Sequence, residues 1–174
     1  WCGIVGIISN DQVIQQIYYS LLLLQHRGQD STGIATMEGT VFHMHKSKGQ
    51  VKDAYRTRDM ISLKGNIGIG HVRYATSGTA HREDEAQPFY VNSPHGIILV
   101  HNGNLVNTAK LRSELLNDDF RHINTTSDSE VLINIFASSL EKNSSGNLND
   151  RVIVNAVSEV HKRVEGEYSV IAII

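Results

Sequence analysis

The chain has 174 residues, of which 40% are apolar and 20% charged, with a formal net charge of −2 at pH 7. That length suits one domain with a sizeable core, and the balance excludes a disordered or fibrous chain. Both signs of charge are interspersed, so nothing calls for nucleic acid or an anionic membrane as a partner.

The longest apolar runs, residues 21–24 and 96–100, fall far short of the roughly 20 residues that a spanning helix needs. The first residues lack a basic region followed by a long apolar stretch, so no secretory leader is expected there. A single cysteine, Cys2, excludes an internal disulfide and an all-cysteine metal site within one chain, and a reducing, cytoplasmic setting is expected.

In chain order, residues 3–8 form a short apolar run of strand type. Asn10 or Asp11 is expected to cap a helix reaching about Leu24, with Ile14, Ile17, Tyr18 and Leu21 on one face. Residues 32–37 and 41–48 read as strands around a turn at Glu38-Gly39. The turn Gly65-Asn66 leads into a strand over 67–73. Residues 97–101 are apolar on both faces, as an inner strand should be. A helix over 108–116 has Leu111, Leu115 and Leu116 on one side. A second, over 127–140, opens with Ser127-Asp128-Ser129-Glu130 as a capping box. A third is capped by Asp150 and carries Ile153, Val157, Val160 and Val164 as its stripe. Residues 168–174 read as a buried strand that stops without a turn, as in a piece of a longer chain. There is no repeat, and the nearest approach to a linker is the polar loop 143–147. Strands first and helices later predict an α+β fold, with sheets covered by helices.

Chemistry begins at Cys2. A lone cysteine is ordinarily a small buried hydrophobe. With the cysteine first in the chain, however, thiol and α-amine share one residue. An amine with a pKa of about 8 can take the proton of a thiol near 8.5, supplying base and nucleophile together. Gln25-His26-Arg27-Gly28-Gln29-Asp30-Ser31 reads either as a helix end with Gly28 left-handed or as a close backbone approach to a site. In Gly70-His71-Val72-Arg73-Tyr74-Ala75-Thr76, an arginine at a strand end can fork onto a carboxylate; a surface salt bridge is the ordinary alternative. Residues 77–85 form a polar loop that either closes over a ligand or stays idle. His101-Asn102-Gly103-Asn104-Leu105 is a turn by its Asn-Gly pair, or an oxyanion hole made by the Asn102 amide and the Gly103 N–H. Asp128 suits the positive end of its helix, or a substrate ammonium. Arg73 and Asp128 together would read both charges of a free amino acid. His43 and His45 share a strand face without a carboxylate or cysteine at ligand spacing, so a solvated face and no metal site are expected. His71, His95 and His101 are expected to be packed or hydrogen-bonded.

Together and in this order, five stretches resemble the class II glutamine amidotransferases, whose glutaminase domain is an N-terminal-nucleophile hydrolase. They are Cys2-Gly3-Ile4-Val5-Gly6-Ile7, Gln25-His26-Arg27-Gly28-Gln29-Asp30, Gly70-His71-Val72-Arg73-Tyr74, His101-Asn102-Gly103-Asn104-Leu105 and Thr126-Ser127-Asp128-Ser129-Glu130. The second of these, with Ala86-Gln87-Pro88-Phe89-Tyr90-Val91-Asn92-Ser93-Pro94 and His122-Ile123-Asn124-Thr125-Thr126-Ser127-Asp128, looks like the amidophosphoribosyltransferase family within that class.

The resemblance implies a four-layer αββα sandwich, with residues 1–174 forming a glutaminase domain cut short at its C-terminus and the phosphoribosyltransferase domain absent. It implies that Cys2 attacks the glutamine side-chain amide, giving a thioester and ammonia, and that water releases glutamate. Arg73 would hold the α-carboxylate and Asp128 the α-ammonium. Asn102 and Gly103 would form the oxyanion hole, and Gly28 and Thr76 would line the site. The ammonia would serve a glycosyltransferase reaction, the synthesis of phosphoribosylamine from phosphoribosylpyrophosphate that starts purine synthesis. Implied partners are L-glutamine, the chain's own phosphoribosyltransferase domain and further copies in a homo-oligomer of the full-length enzyme. No cofactor is expected in this chain, and Mg2+ is expected only for the absent domain. A single cysteine and the immediate start set aside an iron–sulfur cluster and a propeptide within this segment.

One departure bears on activity. The family's mature chain begins at the cysteine, and here Trp1 precedes it. With Trp1 attached, the Cys2 nitrogen is an amide and the indole stands where substrate approaches. One alternative is therefore a glutamine-binding chain without turnover. The other is the glutaminase domain of an aminosugar-forming synthase.

Overall fold

The computed structural model describes residues 1–74, 83–144 and 147–174. Strand β1 (Gly3–Ile8) leads into helix α1 (Ile14–Leu23). Strands β2 (Ser31–Glu38) and β3 (Val41–Lys48) form a hairpin whose turn uses Gly39 at φ 61°. Two short helices follow, α2 (Val51–Ala54) and α3 (Thr57–Ser62), then β4 (Ile67–Arg73). The second half comprises β5 (Phe89–Val91), β6 (Ile97–Leu105), α4 (Thr108–Asn117), α5 (Asp128–Asn143), α6 (Asp150–Arg163) and β7 (Gly166–Ile173).

The strands form two antiparallel sheets, ordered β1-β4-β2-β3 and β5-β6-β7. Strand alternation explains how they stack. On β6, Ile98 and Val100 join Ala35, Ile69 and Ile173 in a core between the sheets, while Ile97 and Leu99 face the opposite way into a core with α4, α5 and α6. A third core joins α1, α2 and neighbouring residues to the outer face of the first sheet through Ile17, Leu21, Ile34 and Val72. The result is the four-layer αββα sandwich that the resemblance implied. No described helix is long and apolar enough to cross a membrane.

Several local expectations are corrected. Neither Asn10 nor Asp11 caps α1; its N-cap is Val13, which is fully buried and makes no side-chain cap. Burial of Val13 and Ile17 fixes the helix start, and the preceding polar residues are spent on a turn in which Asp11 N donates to Ser9 Oγ. Asn149, not Asp150, caps α6, accepting from Val152 N at 3.1 Å. The buried stripe of α6 is accordingly Val152, Ala156 and Val160, and Val157 is exposed. On α4, Leu111 and Leu115 are buried and Leu116 is exposed. Residues 101–105 are strand, paired to β7, and not a turn. β7 is an edge strand, mostly exposed and not buried. The short elements α2, α3 and β5 lay outside the expectations, because three to six residues carry too little periodicity to register.

Candidate active site

The N-terminal strand, the end of β4, the end of β6 and the start of α5 converge on a cavity of about 250 Å³. Cys2, Arg73, Gly103 and Asp128 all line it, together with Tyr74, Glu85, Gln87, His101, Thr126 and Ser129. Register brings the first two together, since Gly3 pairs with Val72 across β1 and β4. A larger hollow of about 380 Å³ beside α5, α6 and β7 is lined almost wholly by apolar side chains and holds no nucleophile.

Cys2 Sγ accepts from Tyr74 N at 3.4 Å. Burial pushes the Cys2 thiol up from its ordinary value, against the Tyr74 N–H and the positive charges of the chain's amino terminus and Arg73, which pull it down. The sulfur at neutral pH is therefore a thiol, and it needs a base to become a nucleophile. Arg27 Nε donates to the Cys2 carbonyl at 3.0 Å and so anchors the residue.

Arg73 sits between two carboxylates. Its Nη1 donates to Asp30 Oδ2 and its Nη2 to Glu85 Oε2, both at 2.7 Å. Glu85 is only 3% exposed, and its other oxygen accepts from Thr126 Oγ1. The guanidinium is thus a buried, aimed group, not the surface ion pair of the ordinary reading.

Asp128, in the first turn of α5, accepts from Leu105 N at 3.2 Å. The capping box does not form around it. Ser127 Oγ accepts from Ser129 N, while the Glu130 carboxylate turns back to accept from the N–H groups of Asn124 and Thr125 at 2.9 and 2.6 Å. Burial would raise the Glu130 carboxyl, but these donors outweigh it and hold the group below its usual range. They thereby fix the loop that leads to Asp128.

Two of the expected site residues stand outside the cavity wall. Asn102 lies on the face of β6 that carries Ile98 and Val100 toward the other sheet. Among the described residues its side chain makes no hydrogen bond, and Oδ1 is buried without a partner, so the amide is uncommitted. Gly28 is extended, at φ −174°, and so is not left-handed. It is required instead because a Cβ there would stand 2.3 Å from the Arg73 carbonyl carbon. Gly28→Ala is expected to displace Arg73 and to lower stability by about 2–3 kcal/mol, as overpacking does. Urea unfolding of the two proteins would measure it, and a change below about 0.5 kcal/mol would show the contact to be soft. Gly103 is held for a similar reason, since a Cβ there would meet Glu167 O at 2.1 Å. Thr76 and most of the loop 77–85 lie outside the described residues.

The histidines divide. His45 Nε2 lies 2.9 Å from Ala54 O and is engaged, whereas His43 Nε2, 3.5 Å from Glu38 Oε2, makes no hydrogen bond among the described residues. Among the described residues, no three His, Cys, Asp or Glu side chains are grouped to hold a metal ion. His71 is fully buried and bridges the sheets, with Nε2 3.2 Å from His101 O. Burial holds His71 down at about 3. The folded form therefore binds its proton more weakly than the unfolded chain, whose imidazole titrates near 6.5. Stability is expected to be full above about pH 6.5 and to fall as pH drops from there toward 3. Denaturant melts at pH 7 and 4.5 would show this, and a His71→Leu protein should have a flatter profile; identical slopes would contradict it.

Sequence reasoning passed over Arg27, Asp30, Glu85, Gln87 and Ser129 as site residues. All five lay inside stretches already singled out, Arg27 and Asp30 in the polar run 25–31, Glu85 in the loop 77–85, Gln87 in 86–94 and Ser129 in 126–130, but nothing in those stretches marked the individual residues.

The family model for the glutamine amidotransferase domain matches residues 57–145. The amidophosphoribosyltransferase of Pseudomonas aeruginosa is 49% identical over 173 residues, covering 99% of this chain and 34% of that protein. The amidophosphoribosyltransferase of Escherichia coli is 49% identical over 174 residues with the same coverage. Among solved structures, the glutamine phosphoribosylpyrophosphate amidotransferase from B. subtilis, complexed with ADP and GMP, superposes with a TM-score of 0.79 at 31% identity, over 98% of this chain and 34% of that one. The chain thus spans about a third of the length of the relatives it matches. With the domain match taking in Arg73, Gly103 and Asp128 of the cavity, and near-complete coverage by these relatives, the chain belongs to the glutamine amidotransferase family.

Proposed function

We propose that this chain is the glutaminase part of an amidophosphoribosyltransferase, hydrolysing glutamine through a thioester on Cys2. The observation that carries this is one small cavity holding a thiol, a guanidinium and a carboxylate. Arg73 and Asp128 suit the α-carboxylate and α-ammonium of a free amino acid, which leaves the side-chain amide to reach the sulfur. Cys2 Sγ attacks the amide carbon, and its proton passes to the Cys2 α-amine once Cys2 is the first residue. The carbonyl oxygen takes up negative charge, for which Asn102 Nδ2 and Gly103 N–H are the proposed donors. The amine returns the proton to the departing nitrogen and ammonia leaves; water then cleaves the thioester to glutamate. Thr76 is kept as substrate-lining in this reading, and Gly28 acts from outside the cavity wall through its close packing on Arg73.

The relatives' names favour an amidophosphoribosyltransferase over an aminosugar synthase. The whole enzyme would pass the ammonia to phosphoribosylpyrophosphate on a second domain, which would bring Mg2+ and a homo-oligomeric assembly, in a cytoplasmic setting. Glutamate release by the chain beginning at Cys2, with calorimetry of glutamine binding, tests the proposal. Release and binding together support it. Binding without release identifies a glutamine-binding module without turnover, and the absence of both overturns the glutamine reading.

A further inference from the structure

Gln87 stands where β5 leaves its sheet. Phe89 pairs with Leu99 and Val91 with Ile97, so the same register carried two residues back sets Gln87 opposite His101. The main chain does not continue the ladder, and Pro88 has no N–H to give it. The Gln87 side-chain amide takes its place. Oε1 accepts from His101 N at 2.6 Å, and Nε2 donates to His101 O at 3.1 Å.

The same Nε2 donates to Ser129 Oγ at 2.9 Å. Ser129 is next to Asp128 in the first turn of α5, with its Oγ 3.0 Å from His101 Nδ1 and 3.5 Å from Asp128 Oδ1. One buried amide therefore joins β6 to the start of α5. The separation of those two elements fixes where Asp128 stands relative to Gly103 and Cys2. The segment carrying Gln87 is itself pinned. Lys46 Nζ donates to Ala86 O at 2.8 Å, and Gly33 lies so close that a Cβ would stand 1.9 Å from Gln87 O. A neutral amide suits the position, since its one acceptor and two donors meet an N–H, a carbonyl and a hydroxyl. A carboxylate would lack both donors.

We propose that Gln87 is a positioning residue that sets Asp128 for the substrate's α-ammonium, and that it acts on the ammonium end of the substrate and not on the carboxylate end. This rests on the glutamine reading above.

The test uses the lone thiol as reporter. Iodoacetamide alkylates Cys2, and a bound ligand protects it. The ligands are glutamine, 4-aminobutanamide (glutamine without its carboxylate) and 4-carbamoylbutanoate (glutamine without its amine). Gln87→Leu is expected to raise the half-protecting concentration of glutamine and of 4-aminobutanamide by about 10-fold or more, as loss of a charge-assisted contact does, and that of 4-carbamoylbutanoate by less than about 2-fold. Ser129→Ala leaves Gln87 on β6 and removes its link to α5, together with the Ser129 Oγ contacts to His101 and Asp128; it should show the same selectivity and carries the test if the leucine protein does not fold. Equal losses for all three ligands, or no loss, would overturn the proposal alone. Failure of glutamine to protect the unsubstituted chain would overturn the glutamine reading and this proposal with it.

Discussion

In a chain whose first residue is Cys2, replacement of that cysteine by alanine is expected to lower glutamate release by at least about 1,000-fold, while glutamine binding stays within about 2-fold. The sulfur belongs to the chain's single cysteine and lines the cavity, and the alanine keeps the backbone that Arg27 holds. A smaller but still large loss is expected from a different change. Leaving Trp1 ahead of Cys2 converts the amine to an amide and removes the base. Positioned bases contribute about 100- to 10,000-fold, and the buried thiol of Cys2 is not a ready thiolate. The expected order of activity is therefore the chain starting at Cys2, then the chain retaining Trp1, then the alanine protein. Equal activity of the first two would show that the proton leaves by another route.

The second large effect is on stability. Arg73→Met is expected to lower it by about 3–5 kcal/mol, because removing one member of a buried ionic cluster leaves the others uncompensated. Here the remainder is two carboxylates, Asp30 and Glu85, each of which had been 2.7 Å from the guanidinium. For a domain of this size that corresponds to a fall in Tm of roughly 6–20 °C. Adding Glu85→Gln to the methionine protein should restore part of the loss, since one of the two facing charges is then gone. A loss below about 1 kcal/mol, with no recovery in the double substitution, would mean that solvent screens the cluster.

The fold was largely legible in the chain, and particular residues show why. The turn at Glu38-Gly39 and the two-faced apolar run 97–101 marked the β2–β3 hairpin and β6, because turn chemistry and strand burial both show in local composition. The helix stripes were placed less well. For α6 the buried set begins at Val152, and no propensity distinguishes that from a stripe through Ile153 and Val157. Tertiary contact decided it.

At the site, Arg73 and Asp128 were legible as charges at element ends. Glu85 and Gln87 were not, since the first ends and the second follows the polar loop 77–85, yet both side chains are buried. A buried polar residue is defined by its partners, and those lie 12 residues away for Glu85, at Arg73, and 42 away for Gln87, at Ser129. Gly28 shows the same limit from the other side. Its requirement comes from the backbone of Arg73, not from its own dihedral angles.

The central claim is a covalent one, so the most direct measurement is the mass of the protein itself. The chain beginning at Cys2 should be mixed with glutamine, quenched in acid within the first turnovers, and examined intact and after proteolysis. The account predicts a glutamyl adduct confined to the peptide that starts at Cys2, absent from the alanine protein and cleared as glutamate appears. Glutamate formed steadily with no adduct at any time, or at an equal rate in the alanine protein, would contradict it.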